Sequence, residues 1–301
     1  MRAVVLTGYG SVENLELREV PDPVVGANQI KVRMAGAGIN PVDWKLRSGA
    51  LRAIMPLQFP VILGRDASGV VSEVGTEVTA FHVGDRVLGR ANASYAELVV
   101  ADTEAWVSLP PGMDLVDAGA LPLVLLTGAQ LVEEAIGVRE GEHVLVLGAL
   151  GSVGRVAVFV AKSCGAKVYA GVRRAQKPDA VKLDVDGVAA VDGEHDIHDL
   201  PALDCIADAA GGDVINRVLP RLKREGRIGS VVGESAEAKS RGFTVRSMLT
   251  HLNAKRLAQL AQAVAHKKLT IPIAKRFPLS QAREAQQLAE KGAGGKVILT
   301  G

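Results

Sequence analysis

Cysteine is nearly absent: the 301 residues hold two, Cys164 and Cys205. Each sits inside an apolar stretch with no second thiol close in sequence, which argues against a disulfide framework and against a thiolate metal cage. Long hydrophobic runs are missing too. No stretch reaches the ~18 uninterrupted apolar residues that a spanning helix needs, so no membrane role is expected. The opening "MRAVVLTGYGSVENLELREV" turns polar early and lacks the apolar segment and small-residue cleavage site of a secretory leader, so a cytoplasmic location is expected. Charge of one sign is lacking as well. The chain has 35 Lys+Arg against 33 Asp+Glu, with the basic residues scattered, and no nucleic-acid footprint results. What is present is a globular composition, 48% hydrophobic and 23% charged, at a length beyond the ~250–300 residues where single cores stop growing. Two domains are expected.

The texture changes along the chain. Up to residue 110, segments such as "RAVVL", "NLELREV", "QIKVRMAGAG", "SGVVSEVG", "DRVLG" and "YAELVVA" are β-rich and broken by Gly, Pro, Asn and Asp, which predicts a sheet-dominated half. From Asp117 a helical stretch, "DAGALPLVLLTGAQLVEEAIG", opens an alternation of strands ("HVLVL", "KVYAGV", "ALDCIADA", "RIGSVV") with helices. That alternation predicts parallel βαβ units, hence an α/β protein with a doubly wound sheet. The polar segment "GESAEAKSRG" (233–242) is expected to be a mobile loop.

Glycines 148, 151 and 154 fall where the apolar strand "HVLVL" ends and the helix "SVGRVAVFVAKSCG" begins. Backbone N–H groups at such a helix start can hold a pyrophosphate when no Cβ stands in the way. Gly148, Ala149, Gly151, Ser152, Val153 and Gly154 are therefore candidate cofactor-binding residues, although Ala149 stands where the usual G-x-G-x-x-G spacing has a glycine. A turn serving only helix-on-sheet packing is the alternative. The next strand usually ends in an acid that bonds the adenosine ribose; here "KVYAGVRRAQKP" ends in Arg173 and Arg174, with Lys177 following. Cations there suit the 2′-phosphate of NADPH, unless they form only a solvated basic loop. Val232 and Gly233, ending the strand that "RIGSVV" opens, are further cofactor candidates at the carboxyl edge of the sheet. The pair His195 and His198 in "GEHDIHD" lacks a supporting ligand cluster, so no metal is expected there.

"GINPVDWKLRSG" (38–49), "FPVILGRDASGVVSEVGTEVTAFHVGDRVLG" (59–89), "GALPLVLLTGAQ" (119–130), the glycine turn, "DAAGG" (208–212) and the terminal "GGKVIL" together resemble the medium-chain dehydrogenase/reductase superfamily, in its zinc-free quinone-oxidoreductase branch. The resemblance runs in order along nearly the whole chain. It implies a GroES-like catalytic domain from residues 1–118 with 266–301, a Rossmann NADP-binding domain at 119–265, and an active site in the cleft where they meet. Zinc-dependent members carry a cysteine near the position of Asn40 and Gly-His-Glu at Gly64-Arg65-Asp66, so no catalytic metal is implied here. The resemblance makes Asn40 and Lys45 the polar contacts at the reacting group, with Lys45 steadying charge that develops on oxygen. An exposed lysine at a strand end is the alternative reading of Lys45.

Trp44, Arg65 and Asp66 are expected to border the substrate pocket, Asp43 to pair with Arg47, and Thr127 to contact the nicotinamide. The implied reaction is hydride transfer from NADPH to a quinone or an α,β-unsaturated carbonyl, by a chain that could pair as a homodimer. An enoyl-thioester reductase and an NADPH-binding regulatory protein are the rival readings. A short-chain dehydrogenase is disfavoured, since Tyr169 is followed four residues on by Arg173 rather than lysine.

Overall fold

A computed structural model describes residues 1–193 and 195–301, leaving the side chain of His195 outside that description. These residues divide into two compact units, Met1–Leu123 with Leu252–Gly301, and Val124–His251.

The first unit is built on antiparallel sheet. Its longest strand, Gln29–Gly38, alternates apolar Ile30, Val32 and Met34 into the core with polar residues outward, as period-two patterning requires. It pairs with Ala67–Val74, Leu98–Asp102 and Lys296–Thr300, so the last strand of the chain lies beside an early one. Ala67–Val74 pairs in turn with Arg86–Gly89. A smaller sheet is formed by Arg2–Leu6 between Leu15–Glu19 and Val61–Ile62. Leu6, Ile30, Leu46, Tyr95 and Trp106 are among the buried side chains of the core.

"NPVDWKLRSG" forms a helix, Pro41–Ser48, so Lys45 stands on a helix and not at a strand end. The local chemistry explains why. Asn40 takes the N-cap, Pro41 the first helical position where no N–H is needed, and the Asp43 carboxylate accepts from the Asn40 N–H at 2.8 Å. Gly49, at φ +82°, closes the helix in the left-handed region.

The second unit holds six parallel strands in the order Gly187–Ala190, Lys167–Val172, His143–Leu147, Leu203–Asp208, Leu222–Ser230, Thr244–Ser247. The three strands that precede the midpoint of the unit run outward in reverse order and the three that follow run the other way, which is the dinucleotide-binding arrangement. "DAGALPLVLLTGAQLVEEAIG" is not one helix: it breaks at Gly119–Leu121 and restarts at Pro122, giving Pro122–Gln130 followed by a wider turn to Ile136. The segment 233–242 is not loop throughout. Ser235 caps a short helix, Ala236–Ser240, by accepting from the Ala238 N–H, and Ala238 is buried. One small apolar side chain is enough to seat an otherwise polar helix. Among the described residues no helix is long and apolar enough to cross a membrane.

Candidate functional site

In the second unit, strand His143–Leu147 ends at Gly148 and helix Ser152–Ser163 starts one residue after Gly151. Two of the three glycines are required by the fold. Gly148 has φ +73°, and a Cβ on Gly154 would stand 2.1 Å from the Gly148 carbonyl oxygen. Gly151 has ordinary φ, and a Cβ there would meet one atom, that same oxygen, at 3.2 Å. Its bareness therefore answers less to packing than to something approaching the helix start, where free N–H groups favour an anion. Ser152 and Val153 form the first turn of that helix, and Ala149 is fully buried.

The three cations after strand Lys167–Val172 are not equivalent. Lys177 is ion-paired to Asp196, and Arg174 approaches the same carboxylate at 3.7 Å while its backbone N–H donates to Asp192. Arg173 is exposed, and its guanidinium has no ion-pair partner among the described residues. Thr127, in helix Pro122–Gln130, shares a 2.6 Å hydrogen bond with the Thr250 hydroxyl, and Gln130 binds the His251 backbone from both ends of its amide. Val232 is partly exposed and Gly233 takes φ +123° just beyond strand Leu222–Ser230.

In the first unit the positions compared with metal ligands form a buried polar cluster. Strand Lys296–Thr300 pairs with Gln29–Gly38 so that Ile298 faces Gly38, and two steps further along this register Lys296 comes beside Asn40. Its ammonium donates to Asn40 Oδ1 at 2.6 Å and to the Ile39 carbonyl at 2.9 Å. Asn40 Nδ2 donates to Asp66 Oδ2 at 2.8 Å and to the Gly38 carbonyl. Asp66 Oδ1 accepts from the Leu123 N–H at 2.7 Å. The Tyr95 hydroxyl donates to Asp43 Oδ2, while Asp43 Oδ1 is buried with no partner among the described residues.

Burial dominates the electrostatics. It pushes the Asp66 carboxyl up to about 6 although the Lys296 ammonium and the Asn40 amide pull it down, and it raises Asp43 in the same way. Burial lowers Lys296, against the attraction of both carboxylates.

Nearly every polar atom of Asn40 is thus engaged by its own unit, which makes it the clamp of the helix cap. Lys45, half-buried on that helix, has no hydrogen bond or ion pair from its ammonium among the described residues. Trp44 packs half-buried against the core. Arg65 is half-buried, with only the Met55 sulfur near Nη2 at 3.7 Å. Asp43 and Arg47 do not pair. Arg47 reaches Gln286, Glu290 and the Gly10 carbonyl, because its guanidinium points from the helix toward helix Ala282–Lys291 while Asp43 faces Tyr95. Lys296 and Tyr95 escaped the reading of the sequence, although a lysine opening the apolar strand "KVILT" is a position that needs a buried partner.

This donor set does not suit a zinc ion. An ammonium and a phenol point their protons into the cluster, an arginine stands next to it, and the amide oxygen is already taken by the ammonium. Among the described residues no group of three or more His, Cys, Asp or Glu is gathered to hold a metal; the His195 side chain of the "GEHDIHD" pair lies outside them.

Comparison with known proteins agrees with this frame. Residues 26–111 match the alcohol dehydrogenase GroES-like domain, and residues 183–299 the zinc-binding dehydrogenase domain. The 2-methylene-furan-3-one reductase of Solanum lycopersicum is 31% identical, over 99% of this chain and 79% of its own. The chain belongs to the medium-chain dehydrogenase/reductase superfamily. Within that superfamily a chloroplastic quinone-oxidoreductase homolog of Spinacia oleracea is 26% identical over 99% of this chain and 98% of its own. The quinone oxidoreductase structure from Coxiella burnetii superposes with a TM-score of 0.90 at 28% identity, covering 100% of this chain and 99% of that one. As a medium-chain dehydrogenase/reductase with a dinucleotide-binding unit, the chain is an oxidoreductase that takes a nicotinamide cofactor.

Proposed function

We propose that the protein is an NADPH-dependent reductase that transfers hydride to a quinone or an α,β-unsaturated carbonyl without a metal ion. The observation that carries this reading is the buried Lys296–Asn40–Asp66 cluster, which fills with internal hydrogen bonds the place where a Lewis acid would need free ligands. The family relatives that act by name on quinones and on a furanone support the choice of acceptor.

Gly151 and the N–H groups of helix Ser152–Ser163 would receive the cofactor's pyrophosphate, and Arg173, the cation with no ion-pair partner among the described residues, its 2′-phosphate. Thr127, already fixed by Thr250, would border the nicotinamide. Reduced nicotinamide, when bound, supplies the hydride. The acceptor's β-carbon would gain that hydride as its C–H pair, the C=C π pair would shift to the bond between the α-carbon and the carbonyl so that charge collects on oxygen, and water would return a proton at the α-carbon. Lys45 would lower the barrier by placing its unpaired ammonium near the oxygen as charge builds there. Asn40 acts one step back, holding the helix that carries Lys45.

The test is loss of NADPH absorbance with a panel of quinones, short enones and an enoyl thioester, run beside NADH. Turnover of quinones or enones with NADPH preferred is expected. If no acceptor is reduced while NADPH still binds, the reductase reading is overturned in favour of a cofactor-binding regulator.

A further inference from the structure

Two half-buried arginines of the first unit have no carboxylate within ion-pair reach among the described residues. Arg65 meets only the Met55 sulfur, and Arg90 Nε is buried without an acceptor. The sheet register brings them together. Strand Ala67–Val74 pairs with Arg86–Gly89 so that Ala67 faces Gly89, and one step beyond, Arg90 stands opposite Asp66 with Arg65 alongside. Burial and the neighbouring Arg65 charge both push the Arg90 guanidinium below its ordinary range. The Asp66 charge works the other way on Arg90, but its two oxygens accept from Asn40 Nδ2 and the Leu123 N–H, and it forms no direct ion pair with either guanidinium among the described residues.

Two like charges held side by side and partly out of water cost free energy unless an anion joins them. Guanidinium forks match a carboxylate or phosphate edge-on, with two parallel hydrogen bonds. The cofactor's phosphates already have candidate partners in the second unit, whereas Asp66, next to this pair in the chain and the sheet register, is bonded to Asn40, the N-cap of the helix that carries Lys45. We infer that Arg65 and Arg90 form an anion-recognition pair for the acceptor, so that the preferred acceptors carry a carboxylate near the reducible double bond. This rests on the reductase reading above.

The experiment compares 4-oxopent-2-enoate with its methyl ester as acceptors for NADPH oxidation, in the wild type and in Arg65→Gln, Arg90→Gln and Arg90→Lys. The acid is expected to exceed the ester in kcat/KM by roughly 10- to 100-fold, the range of a charge-assisted hydrogen bond. Either glutamine variant should collapse that ratio through the KM of the acid, and Arg90→Lys should restore part of it. An equal ratio in the wild type, a ratio that survives both glutamine variants, or a loss that falls on the KM of NADPH, which would assign the pair to a cofactor phosphate, overturns the inference. Calorimetric titration with 4-oxopentanoate, which has no double bond to reduce, separates the two claims. If neither acceptor turns over, the reductase reading fails, while binding of 4-oxopentanoate that is lost in the double glutamine variant still supports the arginine pair, and no binding overturns it.

Discussion

Replacing Lys296 by methionine keeps the apolar stem of the side chain and deletes the ammonium around which two acceptors and two carboxylates are arranged. The ammonium donates to the Ile39 carbonyl and to Asn40 Oδ1, and its charge is felt by both Asp66 and Asp43. Hydrogen bonds from a charged group contribute about 1.5–3 kcal/mol each, so the pair accounts for roughly 3–6 kcal/mol. Relief of the ammonium's own desolvation offsets part of this, and deleting one partner of a buried ion pair ends at about 3–5 kcal/mol of lost stability. The chain's two tryptophans, Trp44 and Trp106, both lie in the first unit, so fluorescence during urea unfolding reports on that unit. With a slope of ~2 kcal/mol per molar urea, the midpoint should fall by about 1.5–2.5 M. The loss should be larger near pH 7.5 than near pH 5. Without Lys296 the Asp66 carboxyl rises further above about 6, and protonation in acid then removes the charge that had lost its partner. A loss below ~1 kcal/mol, or one of equal size at both pH values, would refute the coupling of these three charges.

Four other outcomes are expected. Asp66 has a folded pKa raised from 3.8 to about 6, so the native state holds its proton where the unfolded chain has released it. Its contribution to stability is therefore complete below pH ~3.8 and falls by about 3 kcal/mol as pH rises through ~6. Urea unfolding across that range should show a steeper decline in the wild type than in Asp66→Asn, and parallel curves would count against it. Gly154→Ala must displace the helix from the Gly148 carbonyl, costing about 1–3 kcal/mol and weakening NADPH binding in a fluorescence titration. Arg173→Ala should raise the NADPH Kd by roughly 10-fold or more without changing that of NADH, and by more than Lys177→Ala, since Lys177 is already paired to Asp196. Lys45→Met should lower kcat with little change in NADPH affinity, and an equal loss in both would reduce Lys45 to a cofactor contact.

Strands with a strong pattern were legible residue by residue: Arg2–Leu6, Gln29–Gly38, His143–Leu147 and Lys167–Val172 all coincide with their apolar or alternating runs. Gly187–Ala190 and Thr244–Ser247 were not, because four residues with a single valine among small or polar neighbours carry no periodicity and are strands only by pairing with a neighbour. Helix Pro41–Ser48 was hidden for a related reason. Its buried residues are Asp43, Leu46 and Arg47, so no apolar stripe marks its inner face, although the Pro and Gly at its ends were in plain view. Helix Ala254–Ala265 continues the strand–helix alternation of the second half, yet it lies with the first unit, against strand Trp106–Ser108. A helical period states that a face will be buried and leaves open which core covers it.

The candidate site was legible in its local parts and hidden in its distant ones. Asn40, Asp66 and Arg65 are close in sequence to the motifs that carry the family resemblance, but Lys296 lies 256 residues from the amide it holds. Only the register between the first long strand and the last brings them together. That partner changes what Asn40 can do. With Oδ1 accepting from Lys296 and Nδ2 donating to Asp66 and Gly38, the amide offers no strong donor to a substrate oxygen, although Asp43 Oδ1 in the same cluster stays without a partner among the described residues. Lys45 on the capped helix and the Arg65–Arg90 pair beside Asp66, none with an ion-pair partner among the described residues, are cations flanking the cluster that can answer negative charge. A buried network whose amide and ammonium are internally bonded holds its residues in one arrangement, and the reactive capacity passes to the cations mounted on its edge.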